Sequence, residues 1–248
     1  MTIWAIGDLH LSFGVPDKAM DFFGPLWKEH AANIEKNWRT CISPQDLVLI
    51  PGDISWAMRP EEAVADLAWI DHLPGTKVII RGNHDFWWSS IGQVRKILPP
   101  SIHAIQNDVF RWQNYSIAGA RLWDTSEYSF GEYIVYQENP RQSPHEENPA
   151  EDEKIFVREL GRLELSLKAL GKDDTYRIAM THYPPIGAHL QDSRASQLLE
   201  KYGVKLCVFG HLHNLKPNAQ LFGERNDITY LLTSCDYLNF KPLKIKGP

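Results

Sequence analysis

Cysteine is scarce in this sequence, and the cysteines present show no paired spacing. Of the 248 residues only three are cysteine, at positions 41, 207 and 235. An odd, scattered set predicts no disulfide framework. Cys207 lies in an apolar run, so we interpret it as a small core residue. A strand beginning at Thr2 would leave no room for a removable signal peptide. Because disulfides are rare in the cytosol, we expect a cytoplasmic protein.

Long apolar runs and a strong charge bias are also missing. No stretch approaches the roughly 20 apolar residues that a membrane-spanning helix requires. The formal net charge is only −5, with no basic stripe and no long acidic tail, which argues against nucleic acid as a partner. There is no internal repeat. We expect one domain over residues 1–248, while the pattern leaves the oligomeric state open.

Short apolar runs, separated by helical segments, make up most of the chain. Several runs are continuous rather than alternating, as expected for strands buried on both faces. Strands that alternate with helices predict an α/β protein. The runs are Ile3–Ile6, Leu47–Ile50, Val78–Ile80, Ser116–Ala118, Ile178–Met180, Leu206–Phe209 and Ile228–Leu232.

Three helix starts are indicated by local signals. Pro60, followed by two glutamates, is typical of a first helical turn. Asn148 before Pro149 predicts a second start. Asp192 is expected to cap a third helix, which Gly203 would end.

Five polar clusters each directly follow an apolar run. In α/β sheets ligands bind at the carboxyl ends of strands, so the clusters are predicted to lie where a ligand would bind. Together they supply aspartate, asparagine and histidine, which are ligands suited to two divalent metal ions. The clusters are Asp8-Leu9-His10, Gly52-Asp53, Gly82-Asn83-His84-Asp85, Thr181-His182-Tyr183-Pro184 and Gly210-His211-Leu212-His213.

The spacing inside two clusters has a structural implication. If Asp8 and His10 lie in an extended segment, both side chains leave the same face, and the same holds for His211 and His213. Any one of these histidines, taken alone, is equally explained as a core or surface residue. Five clusters in this order are hard to obtain by chance.

The clusters together resemble the calcineurin-like metallophosphoesterase superfamily, through D-x-H, G-D, G-N-H-D, H and G-H-x-H between residues 8 and 213. The resemblance implies a fold of two facing mixed β-sheets flanked by helices. It also implies seven metal ligands. Asp8, His10 and His213 would bind the first ion, Asn83, His182 and His211 the second, and Asp53 would bridge both.

A chemical mechanism follows from the resemblance. Two ions ~3.5–4 Å apart lower the pKa of a bridging water, and the resulting hydroxide attacks phosphorus. His84 would contact the phosphate and protonate the leaving oxygen. Asp85 would either orient His84 or hold the loop. Oxygen and nitrogen ligands suit Mn²⁺, Fe²⁺ or Zn²⁺, and we favour manganese.

The implied function is hydrolysis of a phosphomonoester, phosphodiester or pyrophosphate of a small metabolite or nucleotide. The alternative is a non-catalytic scaffold that binds metal and uses the fold for protein interaction. Retention of His84 and of every ligand position argues against the scaffold.

Two aromatic regions have open interpretations. Residues 123–149 are rich in Tyr, Glu, Asn and Pro without a helix or strand period. A segment of this kind is interpreted either as a partial lid over the site or as a surface excursion. Phe86, Trp87 and Trp88 either stack on a substrate ring or pack in the core beneath the site.

Overall fold

Two mixed β-sheets form the centre of the molecule. The computed structural model describes residues 1–135, 148–171, 176–217 and 219–246. Within these ranges the first sheet has five strands, in the spatial order β11 (Leu243–Ile245), β1 (Ile3–Ala5), β2 (Leu47–Ile50), β3 (Thr76–Ile79) and β4 (Ile102–Ala104). The second has six among the described residues, in the order β5 (Val109–Trp112), β6 (Tyr115–Ala120), β7 (Tyr176–Thr181), β8 (Leu206–Phe209), β10 (Ile228–Leu232) and β9 (Gly223–Arg225).

The central strands of both sheets run parallel. Strands β1 to β4 pair in parallel, as do β6, β7, β8 and β10. Antiparallel pairing joins β11 to β1, β5 to β6 and β9 to β10. All seven apolar runs of the sequence therefore lie in strands, with ends that differ by up to two residues.

The sheets face each other across an apolar layer. Ala5, Leu49 and Val78 of the first sheet pack with Ile178 and Val208 of the second. Alternate residues of the same strands point outward into the helical layers. Burial on both faces explains why the runs are continuous rather than alternating.

Helices cover the outer faces of both sheets. Trp38 and Leu67 pack with Val48 of the first sheet, while Leu163 and Leu199 pack with Ala179 of the second. The predicted α/β fold with two facing mixed sheets between helices is confirmed. The helices are α1 (His30–Cys41), α2 (Pro60–Asp71) and α3 (Ile91–Ile97) on the first sheet, and α4 (Pro149–Lys168) and α5 (Arg194–Lys201) on the second.

Two of the predicted helix starts are confirmed, and one is wrong. Helix α2 begins at Pro60, and Asn148 caps α4 by accepting from the Glu151 amide. Asp192 does not cap α5. Its carboxylate pairs with Arg225, and the hydroxyl of Ser193 accepts from the Ser196 amide instead.

The described ranges also contain short 3-10 helices. Those ahead of α1 lie in a stretch where the sequence pattern predicted no helix. The short 3-10 helices are Pro16–Lys18, Met20–Phe23, Pro25–Trp27 and Gly131–Tyr133. Among the described residues, no helix combines the length and apolar character that crossing a bilayer requires.

Candidate metal centre

All five polar clusters lie at the carboxyl ends of parallel strands. They follow β1, β2 and β3 in one sheet and β7 and β8 in the other. Because parallel strands end at the same edge, the clusters meet at one edge of the sandwich. Backbone hydrogen bonds tie neighbouring loops together, including the Asp8 amide to the Gly52 carbonyl at 3.0 Å and the Gly210 amide to the His182 carbonyl at 3.1 Å.

The backbone at these strand ends is not extended, which corrects one prediction. Asp8 and His10 have φ values of 57° and 45°, so they do not share a face by strand alternation. Asp53 and His211 also have positive φ, at 50° and 74°. Non-glycine residues rarely adopt this left-handed conformation, and it is concentrated at functional sites. Four of the seven predicted ligands therefore lie at sharp backbone turns.

Two glycines allow the loops to approach each other closely. A Cβ atom on Gly82 would collide with the Asp53 carboxylate, and one on Gly210 would collide with the Asp8 carboxylate. The absence of a side chain at both positions is what lets the two carboxylates lie against neighbouring loops.

The predicted ligands of the first ion lie together. One candidate ligand atom from each of Asp8, His10 and His213 lies within 4.8 Å of the others. The Nε2 atoms of His10 and His213 are 3.2 Å apart, and His213 Nε2 is 3.5 Å from Asp8 Oδ1. At most one hydrogen can lie between two facing imidazole nitrogens, so at least one of the two keeps a lone pair that could bind a metal ion.

The predicted ligands of the second ion also converge. Asn83 Oδ1 lies 2.6 Å from His182 Nε2 and 3.1 Å from His211 Nδ1. Asp53 lies between the two sets. Its Oδ2 atom is 3.7 Å from His10 Nε2 and 3.5 Å from His182 Nε2.

The donors present fit divalent cations. Asp8 Oδ2 and His10 Nδ1 are buried and have no hydrogen-bond partner in the part of the chain that the structure describes. Buried polar atoms are normally paired, and an unpaired carboxylate oxygen beside further carboxylate and imidazole donors is matched to a cation. The set contains oxygen and nitrogen donors and no thiolate, which is the chemistry of Mn²⁺, Fe²⁺ and Zn²⁺ sites.

The two buried aspartates have opposite pKa shifts. Burial, together with the charges of Asp85 and Asp8, raises the pKa of Asp53 well above its ordinary value. Burial acts in the same direction on Asp8, but the hydrogen bond and charge of His213 outweigh it, so the pKa of Asp8 falls. A cation between them would favour the ionised form of both carboxylates.

The pKa values of the buried histidines also shift in opposite directions. Burial lowers the pKa of His182 to about 4, and burial with nearby histidines lowers the pKa of His10 and His211. These neutral rings are in the form that binds metal. His213 is also buried, but the charges of Asp236 and Asp8 raise its pKa.

His84 lies beside the predicted ligands. Its backbone amide donates to Asp53 Oδ1 at 2.8 Å, and its ring packs 4.4 Å from that of Trp56. Burial, followed by the charges of His182 and His213, lowers the pKa of His84 to about 4. The ring is therefore neutral at neutral pH, and an anionic phosphate beside it would raise this pKa.

The carboxylate of Asp85 accepts hydrogen bonds that join two loops of the site. Its buried carboxylate accepts from the indole of Trp87 at 2.9 Å and from three backbone amides. The three amides belong to Ile54, Ser55 and Gly82. Of the two predicted roles, orienting His84 or holding the loop, these contacts favour the second.

The aromatic residues after His84 differ in burial. Trp87 and Trp88 are buried, whereas Phe86 is half exposed. Of the two interpretations given for these three residues, core packing therefore holds for Trp87 and Trp88. Trp56 stacks on His10, with ring centroids 5.0 Å apart.

Sequence reasoning missed Asp236, which contacts a predicted ligand. Its Oδ1 atom lies 2.8 Å from His213 Nδ1, and its Oδ2 accepts from the Asn214 amide. The signal was available, because Asp236 follows strand β10 just as the other polar clusters follow their strands.

Part of the aromatic-rich segment lies beside the site. Residues 136–147 are outside the described ranges, so only 123–135 and 148–149 of the predicted segment 123–149 are described. The Val135 amide donates to the Asn214 carbonyl and the Lys216 amide to the Tyr133 carbonyl, both at 2.8 Å. These bonds join the segment to the loop that carries His213. Its action as a lid stays a prediction.

Fold and site together define an α/β sandwich with buried Asp and His clusters suited to metal binding. The family model of the calcineurin-like phosphoesterases matches residues 1–215. The chain belongs to the calcineurin-like phosphoesterase family.

Individual relatives are distant. The chain is 24% identical over 211 residues to the Gene 66 protein of Mycobacterium phage L5, covering 85% of this chain and 77% of that protein. It is 32% identical over 83 residues to the Gene 66 protein of Mycobacterium phage D29, covering 34% of this chain and only 40% of that protein. Among solved structures, phosphopantetheinyl hydrolase from Mycobacterium tuberculosis is similar, with a TM-score of 0.55, 12% identity and coverage of 100% and 96% of the two chains. This similarity concerns the fold.

Proposed function

We propose that the protein is a phosphoesterase that hydrolyses a phosphomonoester, phosphodiester or pyrophosphate of a small metabolite or nucleotide with two divalent metal ions. The main support is the position of Asp53, whose Oδ2 atom lies 3.7 Å from His10 of one ligand set and 3.5 Å from His182 of the other. A carboxylate between two such sets suits a bridging ligand. Membership of a phosphoesterase family supports the reaction type.

Each ligand set would hold one ion. Asp8, His10 and His213 form the first set, and Asn83, His182 and His211 form the second, with Asp53 shared between them. When bound, the ions would supply Lewis acidity toward phosphate oxygens and activate water as the nucleophile. Manganese remains our favoured metal, with iron and zinc as the other candidates. A cytoplasmic location also stays a prediction.

His84 is assigned the proton transfer to the leaving oxygen. Its ring packs against Trp56 and is absent from both ligand sets, so it is free to contact substrate. Burial holds the pKa of the ring at about 4 without substrate, and a phosphate anion beside the ring would favour the protonated form that can donate a proton. Asp85 keeps the loop that carries His84 and Asn83 in place, because its carboxylate accepts hydrogen bonds from the Gly82 and Ile54 amides.

Hydrolysis of p-nitrophenyl phosphate and bis(p-nitrophenyl) phosphate tests the proposal. The protein is stripped of metal, reloaded with Mn²⁺, Fe²⁺ or Zn²⁺, and assayed beside an Asp53→Asn variant. We expect turnover that requires metal and is lost in the variant. Full two-ion occupancy without turnover of either ester, or of a panel of phosphorylated metabolites, would instead support the metal-binding scaffold.

A further inference from the structure

A cavity of about 610 Å³ adjoins the candidate metal centre. His211, a predicted ligand of the second ion, lies in its wall, and so do residues 123–126 and 128–131. The volume falls within the range of about 300–1,000 Å³ typical of small-molecule sites. A phosphate held by the ligand sets would therefore have room beside it for the organic group that it carries.

One wall of this cavity is aromatic and begins at the metal centre. The ring of Tyr183 lies 3.9 Å from that of His211, and Trp123 lies 5.1 Å from Tyr183. Tyr128 and Phe130 contribute two more rings, 5.4 Å apart. Aromatic walls of this kind bind flat rings by stacking and edge contacts.

The aromatic wall is held in position by polar contacts of its own side chains. Trp123 donates from its indole to Asp152 at 3.0 Å, and the guanidinium of Arg121 lies 4.5 Å from the Trp123 ring. The hydroxyl of Tyr128 donates to the Pro184 carbonyl at 2.7 Å. A wall fixed before binding loses little conformational entropy when a ligand packs on it.

The polar lining is hydroxylic and acidic. Thr125, Ser126 and Ser129 bring hydroxyl groups, and Asp124 brings a carboxylate. Among the described residues that line the cavity there is no lysine or arginine. Hydroxyls both donate and accept hydrogen bonds, whereas a lining with no lysine or arginine among its described residues offers no charged side chain to pair with a second phosphate.

We propose that this cavity binds the organic part of the substrate, and that this part is an uncharged group of nucleoside size with a flat ring and hydroxyls. The inference rests on the proposed function, because it takes the phosphate to be held by the two ligand sets. It narrows the substrate to phosphoesters of nucleoside-like alcohols, and it excludes substrates that would place a second phosphate in the cavity.

Matched ester pairs test the proposal. The first pair is methyl p-nitrophenyl phosphate and thymidine 5′-(p-nitrophenyl phosphate), and the second is ethyl phosphate and thymidine 5′-monophosphate. Within each pair only the organic group differs. Thymidine 3′,5′-bisphosphate adds a second phosphate. The proteins are the Mn²⁺-loaded wild type, Ser129→Trp and Ser43→Trp. Ser129→Trp places a large ring at the cavity lining, whereas Ser43→Trp places the same side chain at an exposed position before β2.

The wild type should have the higher kcat/KM for the thymidine member of whichever pair it hydrolyses. Stacking of one base on an aromatic ring suggests a preference of roughly tenfold or more. Ser129→Trp should lower that ratio, Ser43→Trp should keep it, and the bisphosphate should be the poorer substrate. Equal rates for both members in the wild type, or an unchanged ratio in Ser129→Trp, would overturn the proposal.

A binding experiment separates this inference from the proposed function. Saturation-transfer NMR measures contact of thymidine, which has no phosphate, with the metal-free wild type and Ser129→Trp proteins. If no ester is hydrolysed but thymidine contacts only the wild type, the proposed function fails and the cavity assignment stands. If esters are hydrolysed but thymidine contacts both proteins equally or neither, the cavity assignment fails and the proposed function stands.

Discussion

The Nδ1 atom of His213 lies 2.8 Å from Oδ1 of Asp236, a residue that follows a different strand. The opposite ring nitrogen, Nε2, faces Asp8 and His10 at 3.5 and 3.2 Å. A carboxylate on one side of a ligating imidazole fixes the orientation of the ring and increases the basicity of the other nitrogen. We therefore expect Asp236 to position His213 for metal binding.

Replacing Asp236 should weaken the first metal site selectively. Removal of such a partner typically costs about 10- to 100-fold in metal affinity, so Asp236→Ala should bind one of two Mn²⁺ ions more weakly by this factor. Calorimetric titration of the metal-free protein measures both affinities. Asp227→Ala, at an exposed aspartate nearby in sequence, should behave as the wild type. Equal affinities in Asp236→Ala and wild type would contradict the positioning role.

Asp53→Asn should affect both metal sites, whereas His213→Ala should affect one. The difference arises because Asp53 Oδ2 lies between the two ligand sets, while His213 contacts only the first. Metal analysis after gel filtration gives the number of ions per chain. We expect about two ions in the wild type and about one in His213→Ala, with Asp53→Asn below His213→Ala. Two ions retained by Asp53→Asn would show that it does not bridge.

His84→Ala should lower kcat while the metal content stays at the wild-type level. Loss of general acid catalysis costs typically 10²–10⁴-fold. The loss should be smaller for p-nitrophenyl esters, whose leaving group needs little protonation, than for alkyl esters. Comparing kcat for both ester types, with metal analysis of the same samples, checks this. Loss of metal in proportion to activity would make His84 a ligand instead.

Asp66 should make stability depend on pH between about 4 and 6. Its buried carboxyl group interacts with Ser55 and accepts from the Phe13 amide, and burial raises its pKa from 3.8 to about 6. Between these values the folded state holds the proton more tightly than the unfolded state. The stabilisation is therefore complete below the unfolded pKa and is lost as the pH rises through about 6.

Urea unfolding of the metal-free wild type and Asp66→Asn measures this contribution. The free energy of unfolding of the wild type, relative to the variant, should fall by on the order of 2 kcal/mol from pH 4 to pH 7. Asp227→Asn serves as the control and should track the wild type. A constant difference between wild type and Asp66→Asn across this range would refute the assigned pKa.

Much of the fold could be predicted because its signals are local. Strands buried on both faces require continuous apolar runs such as Leu47–Ile50, and the polar residues after each run mark the sheet edge. Prediction failed where neighbouring signals compete. Asp192 and Ser193 are both good capping residues, and Arg225, 33 residues away in the chain, decides between them by pairing with Asp192.

The sequence by itself determined which residue types follow each strand, and hence the order of the aspartates, asparagine and histidines that resembles a metallophosphoesterase. These are properties of short stretches of chain. Only the tertiary structure decided that Asp53 lies between the two sets, that Asp8 and His10 turn through left-handed backbone, and that Asp236 contacts His213. These features depend on how the two sheets pack face to face and bring their strand ends together, and sequence spacing carries no information about distances between loops that far apart in the chain.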